Sequence, residues 1–299
     1  MTGKRKGNLR KSENRVLWVM TGPAILLMVI FVLIPLIMGL NLSLTNWNGY
    51  SQTYDYIGAE NYMRLLTDPM FQRAVVNTLV YGIGSTLLQT VLGLSYALLL
   101  NKRFALKPVM QTVVYLPAML SSILVGYVWC FMVEYSHGAM NDVLLLFGLE
   151  KIDWMGNGDR AVLIITAANT LNFCGKAMLI YLAGLKGIPE SYYEAASIDG
   201  AGSLQSFISI TLPNLLPAIM TSTILNLIGG LKLFGIIQSM SGGGPGYASH
   251  SLSTLINTMY FSYQDAGYAS AIGIFTFFFI MLISITLRVY LSRKVEGDE

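Results

Sequence analysis

Long uncharged apolar stretches alternate with short polar segments along the chain, and the length of those stretches is the first constraint on its structure. A bilayer core of about 30 Å needs roughly 20 mainly apolar residues in helix. Six stretches reach that length, at approximately 16–44, 74–100, 108–133, 161–185, 215–240 and 266–290. The first three carry no charge; the fourth contains Lys176 and the fifth Lys232. The sixth is uncharged up to Arg288, which stands at its end as an interfacial anchor would. The first stretch far exceeds the 7–15 apolar residues (roughly) of a cleavable signal. It also leaves through Asn41–Thr45 without an Ala-x-Ala pattern, so it is expected to stay in the membrane. The pattern predicts an all-α membrane protein with six transmembrane helices.

Composition agrees. Hydrophobic residues make up 54 % of the 299 residues and charged residues 12 %, against about 25 % charged in soluble domains. The same balance excludes disorder, which needs charge and few aromatics. With two cysteines, a disulfide-rich secreted fold is excluded as well. Cys130 and Cys174 lie in apolar stretches and are expected as free thiols.

A net charge of +3 is small, no nucleic-acid partner is expected, and the distribution of charge says more than its sum. The N-terminal tail, the second and fourth loops and the C-terminal end hold thirteen Lys and Arg, while the other loops hold only Arg64, Arg73, Lys151 and Arg160. Positive residues stay inside, which predicts a multi-pass protein of the cell membrane with both termini cytoplasmic. The expected organisation is a basic tail at 1–15, one membrane domain at 16–292 with a cytoplasmic loop at 187–213, and a tail at 293–299.

The chain has no G-x-x-x-x-G-K-[ST] segment, no HExxH and no CxxC, so no nucleotide, metal or cofactor site is expected on it. His137 and His250 fall in outer loops and are expected to be solvated. Ion-driven carriers place acids or histidines within their spans; here only Asp265 stands at the rim of one. Energy for uphill transport is therefore expected from another subunit.

The fourth loop carries the strongest local signal. Ser191 and Glu194 have capping-box spacing, Tyr192–Ala196 suits a short helix, and Gly200 suits a left-handed stop. A second short helix is expected from Ser203, ending before Pro213. By local physics alone the loop is either a passive helix-turn-helix connector or a projecting docking element. Glu194, Ala195, Ala196, Gly200, Ile210, Leu212 and Pro213 have the spacing EAA-x3-G-x9-I-x-LP, with Asp199 before the glycine. This resembles the loop of ABC importer permeases, in particular the sugar-uptake branch. The segments Tyr56–Tyr62 and Asn77-Thr78, and later Leu231–Phe234 and Ser241–Pro245, are similar to that family too.

The resemblance implies the type I importer permease fold, with termini inside. It implies that the chain forms part of the path for a sugar brought by an extracytoplasmic binding protein, beside a second homologous permease subunit. An ATP-binding cassette ATPase dimer would hold ATP–Mg, and the EAA loop would dock on it. Glycerol 3-phosphate or another polyol-like solute is the alternative cargo, and an ion-coupled carrier the alternative class. Candidate path residues are Lys176 and Lys232, as charges within spans, Asn172, Asn226 and Gln238, as partners for hydroxyls, and Phe234, for stacking. Tyr127 and Trp129 could also stack on a sugar face. For Lys232, snorkelling to the interface is the competing reading.

Overall fold

The computed structural model describes residues 18–102 and 104–296. The basic tail read at 1–15, Arg103 and residues 297–299 lie outside the described residues. Among the described residues five helices are long and apolar enough to cross a membrane, or six if one bent pair counts as a span: Trp18–Leu42, Pro69–Asn101, Gly158–Lys186, Ser203–Leu231 and Ala266–Arg293. Among the described residues the only β pairing is the isolated Thr45–Tyr56 bridge.

Two expected spans are broken. The stretch read as a third continuous span is a pair of helices, Lys107–Met119 and Ser122–Val133, bent by 102°. Leu120 and Ser121 take extended ψ values of 152° and 135°. Pro117 precedes the break inside the first helix, where its ring crowds the turn before it and removes one N–H donor. The stretch read as a fifth span stops at Leu231 and resumes as Gly235–Met240. Window-averaged apolar content is blind to both breaks, because the sequence is apolar on either side of each.

The described residues form two compact units. One comprises the described residues up to Arg64 together with Met259–Phe275. Its first span is unburied along its length, as a lipid-facing helix is, and passes through a π-turn at Val29–Leu33 just before Pro35. Such a turn takes up the hydrogen bond that proline cannot make. Beyond this span, the Asn61 amide donates to the carbonyls of Ser43 and Thr45, 2.9 Å each. The Tyr62 and Ser43 hydroxyls meet at 2.7 Å. Arg64 donates to Asp265 at 2.6 Å and lies 3.8 Å from the Tyr268 ring centroid.

The second unit comprises Leu65–Thr258 and the described residues from Thr276 on. One of its apolar clusters gathers Tyr81, Ile165, Ile236 and Ile237; another gathers Ala97, Met178, Tyr181 and Leu215. Small residues let the helices approach. A Cβ on Gly230 would stand 2.8 Å from the Tyr81 carbonyl oxygen and 2.9 Å from the Gly82 Cα, so these two spans touch through backbone.

The glycine-rich segment after Met240 is held by the second span. Asn77 donates to the carbonyls of Ala248 and His250 at 2.7 and 3.0 Å, and Tyr81 donates to that of Ser249 at 2.9 Å. Thr78 accepts the Leu252 N–H at 2.9 Å. Arg73 donates to the Ala248 carbonyl and pairs with Asp159. The Ser241 and Ser249 hydroxyls meet at 2.8 Å. His250, expected to be solvated, is instead buried, with Nδ1 3.1 Å from the Thr254 hydroxyl. Burial lowers its pKa below the ordinary histidine value.

Candidate functional site

The loop after the fourth span begins with a short helix, Glu190–Ile198. It starts one residue before Ser191, because Pro189 (φ −60°, ψ 135°) occupies the N-cap position. Ser191 is therefore inside the helix, no side chain caps its start, and the expected capping box does not form. Glu190 stands in the first turn, where the helix dipole favours a negative charge.

The far end is a Schellman stop. Gly200 has φ +79°, its N–H donates to the Ser197 carbonyl at 3.2 Å, and the Ala201 N–H donates to that of Ala196 at 2.9 Å. Asp199 is the C-cap residue. A β-carbon would meet nothing within 4 Å of Gly200, so backbone conformation alone demands glycine there.

The next helix starts at Ser203 but does not end before Pro213. It runs on to Leu231 as the fifth span. A π-turn at Phe207–Thr211 makes this possible, with the Leu212 N–H donating to the Phe207 carbonyl. Pro213 then sits at the start of the following α-turns. The Asn214 amide donates to the Ile210 carbonyl at 2.7 Å. Tyr193 and Thr211 hydroxyls lie 3.0 Å apart, tying the short helix to the foot of the span.

Glu194, Ala195, Asp199 and Pro213 are exposed, whereas Ala196, Ile210 and Leu212 are half-buried. Apolar side chains project beside them, with Ile198 86 % and Leu204 72 % exposed. The loop thus presents a knob of mixed apolar and acidic character braced against a span.

Within the second unit, a cavity of about 290 Å³ opens at the break after Leu231. Lys176, Asn226, Lys232 and Phe234 all line it. Asn172 and Gln238 do not: Asn172 is buried with neither amide atom partnered among the described residues, and Gln238 is exposed. Tyr127 is also exposed, and Trp129 packs on the apolar cluster around Tyr81. Gln89, Ser122, Asn169 and Phe173 join the lining without having been singled out in the sequence. Gln89 carried a usable signal, as the one side-chain amide in the second span below its first turns.

Lys176 lies ten residues before the helix end at Lys186, about 15 Å along the axis at 1.5 Å per residue. Lys232 is the first residue past its helix (φ −97°, ψ 13°). Irregular backbone at membrane depth is stable where protein satisfies it or where it lines a cavity. Both conditions hold, since Ser251 donates to the Leu233 carbonyl at 2.8 Å.

Comparison with known proteins matches residues 89–297 to the family described as the binding-protein-dependent transport system inner membrane component. The chain is 34 % identical to the trehalose/maltose transport system permease protein MalF of Thermococcus litoralis, over 95 % of each chain. It is 34 % identical to the multiple sugar-binding transport system permease protein MsmF of Streptococcus mutans, covering 93 % of this chain and 96 % of that one. Among solved structures it resembles a chain of the bacterial alginate ABC transporter in complex with alginate pentasaccharide-bound periplasmic protein. That similarity has a TM-score of 0.81 and 26 % identity, covering 95 % of this chain and 96 % of the other.

Proposed function

The chain belongs to the binding-protein-dependent transport system inner membrane components, and from that membership we propose its place in a complete importer. It is the permease subunit of an ATP-driven ABC importer for an oligosaccharide. An extracytoplasmic binding protein delivers the sugar, a second homologous permease completes the path, and a separate ATPase pair supplies the energy. The helix Glu190–Ile198 faces the cytoplasm, together with both termini, and docks in the ATPase.

One observation carries this reading: a short exposed helix, closed by Gly200 and tied to the fifth span through Tyr193 and Thr211. A passive connector has no need of a brace. A lever does, because movement of the knob must reach the span rather than dissipate in the loop. Glu194 is the charged contact, Ala195 and Ala196 permit close approach, and Ile198 and Leu204 provide the apolar area. Closure of the ATPase then shifts the fifth span as a rigid body, and the broken segment at Leu231–Gly235 moves with it.

The substrate reading draws on the relatives, whose names assign them trehalose, maltose and other sugars, and on the alginate transporter. The cavity, lined by amides and by two aromatics, Phe173 and Phe234, suits a polyhydroxylated ligand. The experiment is Glu194→Lys in the assembled transporter. Membrane insertion should be normal, co-purification of the ATPase should weaken, and sugar uptake should fall at least several-fold. Normal uptake with normal co-purification would make the loop a passive connector.

A further inference from the structure

We infer that the cavity between Lys176 and Lys232 takes a saccharide bearing an acidic group, a carboxylate, sulfonate or phosphate, in preference to a neutral one. This narrows the importer reading above and rests on it.

Two observations converge. Lys176 and Lys232 both line the cavity, and no Asp or Glu does. Among the described residues neither lysine has an ion-pair partner; ion pairs such as Arg64–Asp265 and Arg73–Asp159 lie elsewhere. The membrane-crossing helices are nearly free of acids, with Asp159 at the start of one the exception. Lys176 lies within a membrane-crossing helix and Lys232 just past the end of another, both exposed, and cations so placed are costly unless water, an interface or an anion reaches them. A cargo that brings its own negative charge satisfies both.

The second observation separates an acidic sugar from a small inorganic anion. Gln89 and Asn169 are 1 % and 2 % exposed and line the same cavity. The Gln89 side chain donates to the Asn169 backbone carbonyl at 3.1 Å. Its Oε1, and the Asn169 Oδ1, have no partner among the described residues. Such oxygens accept hydrogen bonds and repel a bare anion, but they suit sugar hydroxyls. The lining therefore asks for one ligand with hydroxyl donors on one part and negative charge on another.

The test uses the whole transporter, with its partner permease, ATPase and binding protein, in cells that lack other uptake. Uptake of a galacturonate trisaccharide is compared with that of maltotriose, a neutral sugar of equal length. The acidic trisaccharide should enter in an ATP-dependent way. K176Q and K232Q should each lower its uptake about tenfold or more at equal membrane amounts, and K176R and K232R should retain at least half of it. ATP-dependent uptake of maltotriose alone, unchanged in K176Q and K232Q, would overturn this inference and leave the importer reading standing. Uptake of neither trisaccharide would overturn this inference, and absence of ATP-dependent uptake of maltose and trehalose as well would overturn the importer reading. Should the glutamine variants fail to insert, the wild-type arm decides: a tenfold excess of the acidic trisaccharide that leaves maltotriose uptake unaffected also overturns the inference.

Discussion

The hydroxyl of Tyr193, in the short loop helix, lies 3.0 Å from the hydroxyl of Thr211, in the π-turn at the foot of the fifth span. Eighteen residues apart in sequence, the two side chains join the element that would meet the ATPase to the helix that lines the cavity. A neutral hydrogen bond of this kind contributes about 1 kcal/mol, small for the fold and large for a lever that must transmit a small motion.

Tyr193→Phe should accordingly express and insert normally while lowering uptake a few-fold. Thr211→Val should do the same, and the double variant should be little worse than either single one. This non-additivity marks a direct interaction. Additive losses in uptake would show that the two hydroxyls act independently.

Gly200→Ala forces alanine into φ +79° and costs about 1 kcal/mol or more. Since a Cβ there meets nothing, the effect is purely on the exit angle of the loop helix. Uptake should drop several-fold with membrane insertion intact. Gly202→Ser, at a residue with φ −72°, is the matched control and should leave uptake near wild type.

Orientation is tested by single cysteines in a background lacking Cys130 and Cys174. Positions 102 and 199 should react with impermeant reagents only from the cytoplasmic side, and positions 55 and 153 only from outside. Labelling of position 199 from outside would remove the loop from any ATPase.

Energy coupling makes a separate demand. Uptake should survive collapse of the proton gradient when ATP is maintained, and the purified chain alone should not hydrolyse ATP. Uptake lost with the gradient at constant ATP would favour an ion-coupled carrier.

Burial of His250 gives a pH dependence of known sign. Its folded pKa is lowered by desolvation, so the unfolded segment binds the proton more readily. The contribution is fully present above the unfolded value of about 6.5 and is lost as pH falls from there toward the folded pKa. Thermal unfolding of the wild type should lose more stability between pH 7.5 and 5.5 than His250→Gln does. Equal losses in the two proteins would show that His250 charges as readily in the folded protein as in the unfolded chain.

What the sequence determined by itself is what depends on neighbours along the chain. Membrane insertion follows from stretches such as 16–44 and 266–290, because transfer of a helix into lipid depends on its own residues. The stop at Gly200 was legible for the same reason: a left-handed residue ending a helix is a local requirement. Even local reading failed where a stronger local rule competed, as when Pro189 started the loop helix ahead of Ser191. The bend between Met119 and Ser122 and the break after Leu231 were not legible from hydropathy, since the sequence is apolar on both sides of each and only Ser121-Ser122 and Lys232 mark them. A tertiary contact helps to hold the second, as Ser251 donates to the Leu233 carbonyl. The cavity belongs to the same class. Gln89, Asn169, Lys176 and Asn226 come from three helices, and their meeting is decided by how Gly230 and its neighbours let those helices pack. His250 was likewise a loop histidine until the second span, through Asn77, Thr78 and Tyr81, drew its segment inward. Hydropathy and motif record what each segment prefers; which polar groups end up sharing one space is set by packing between segments distant in sequence.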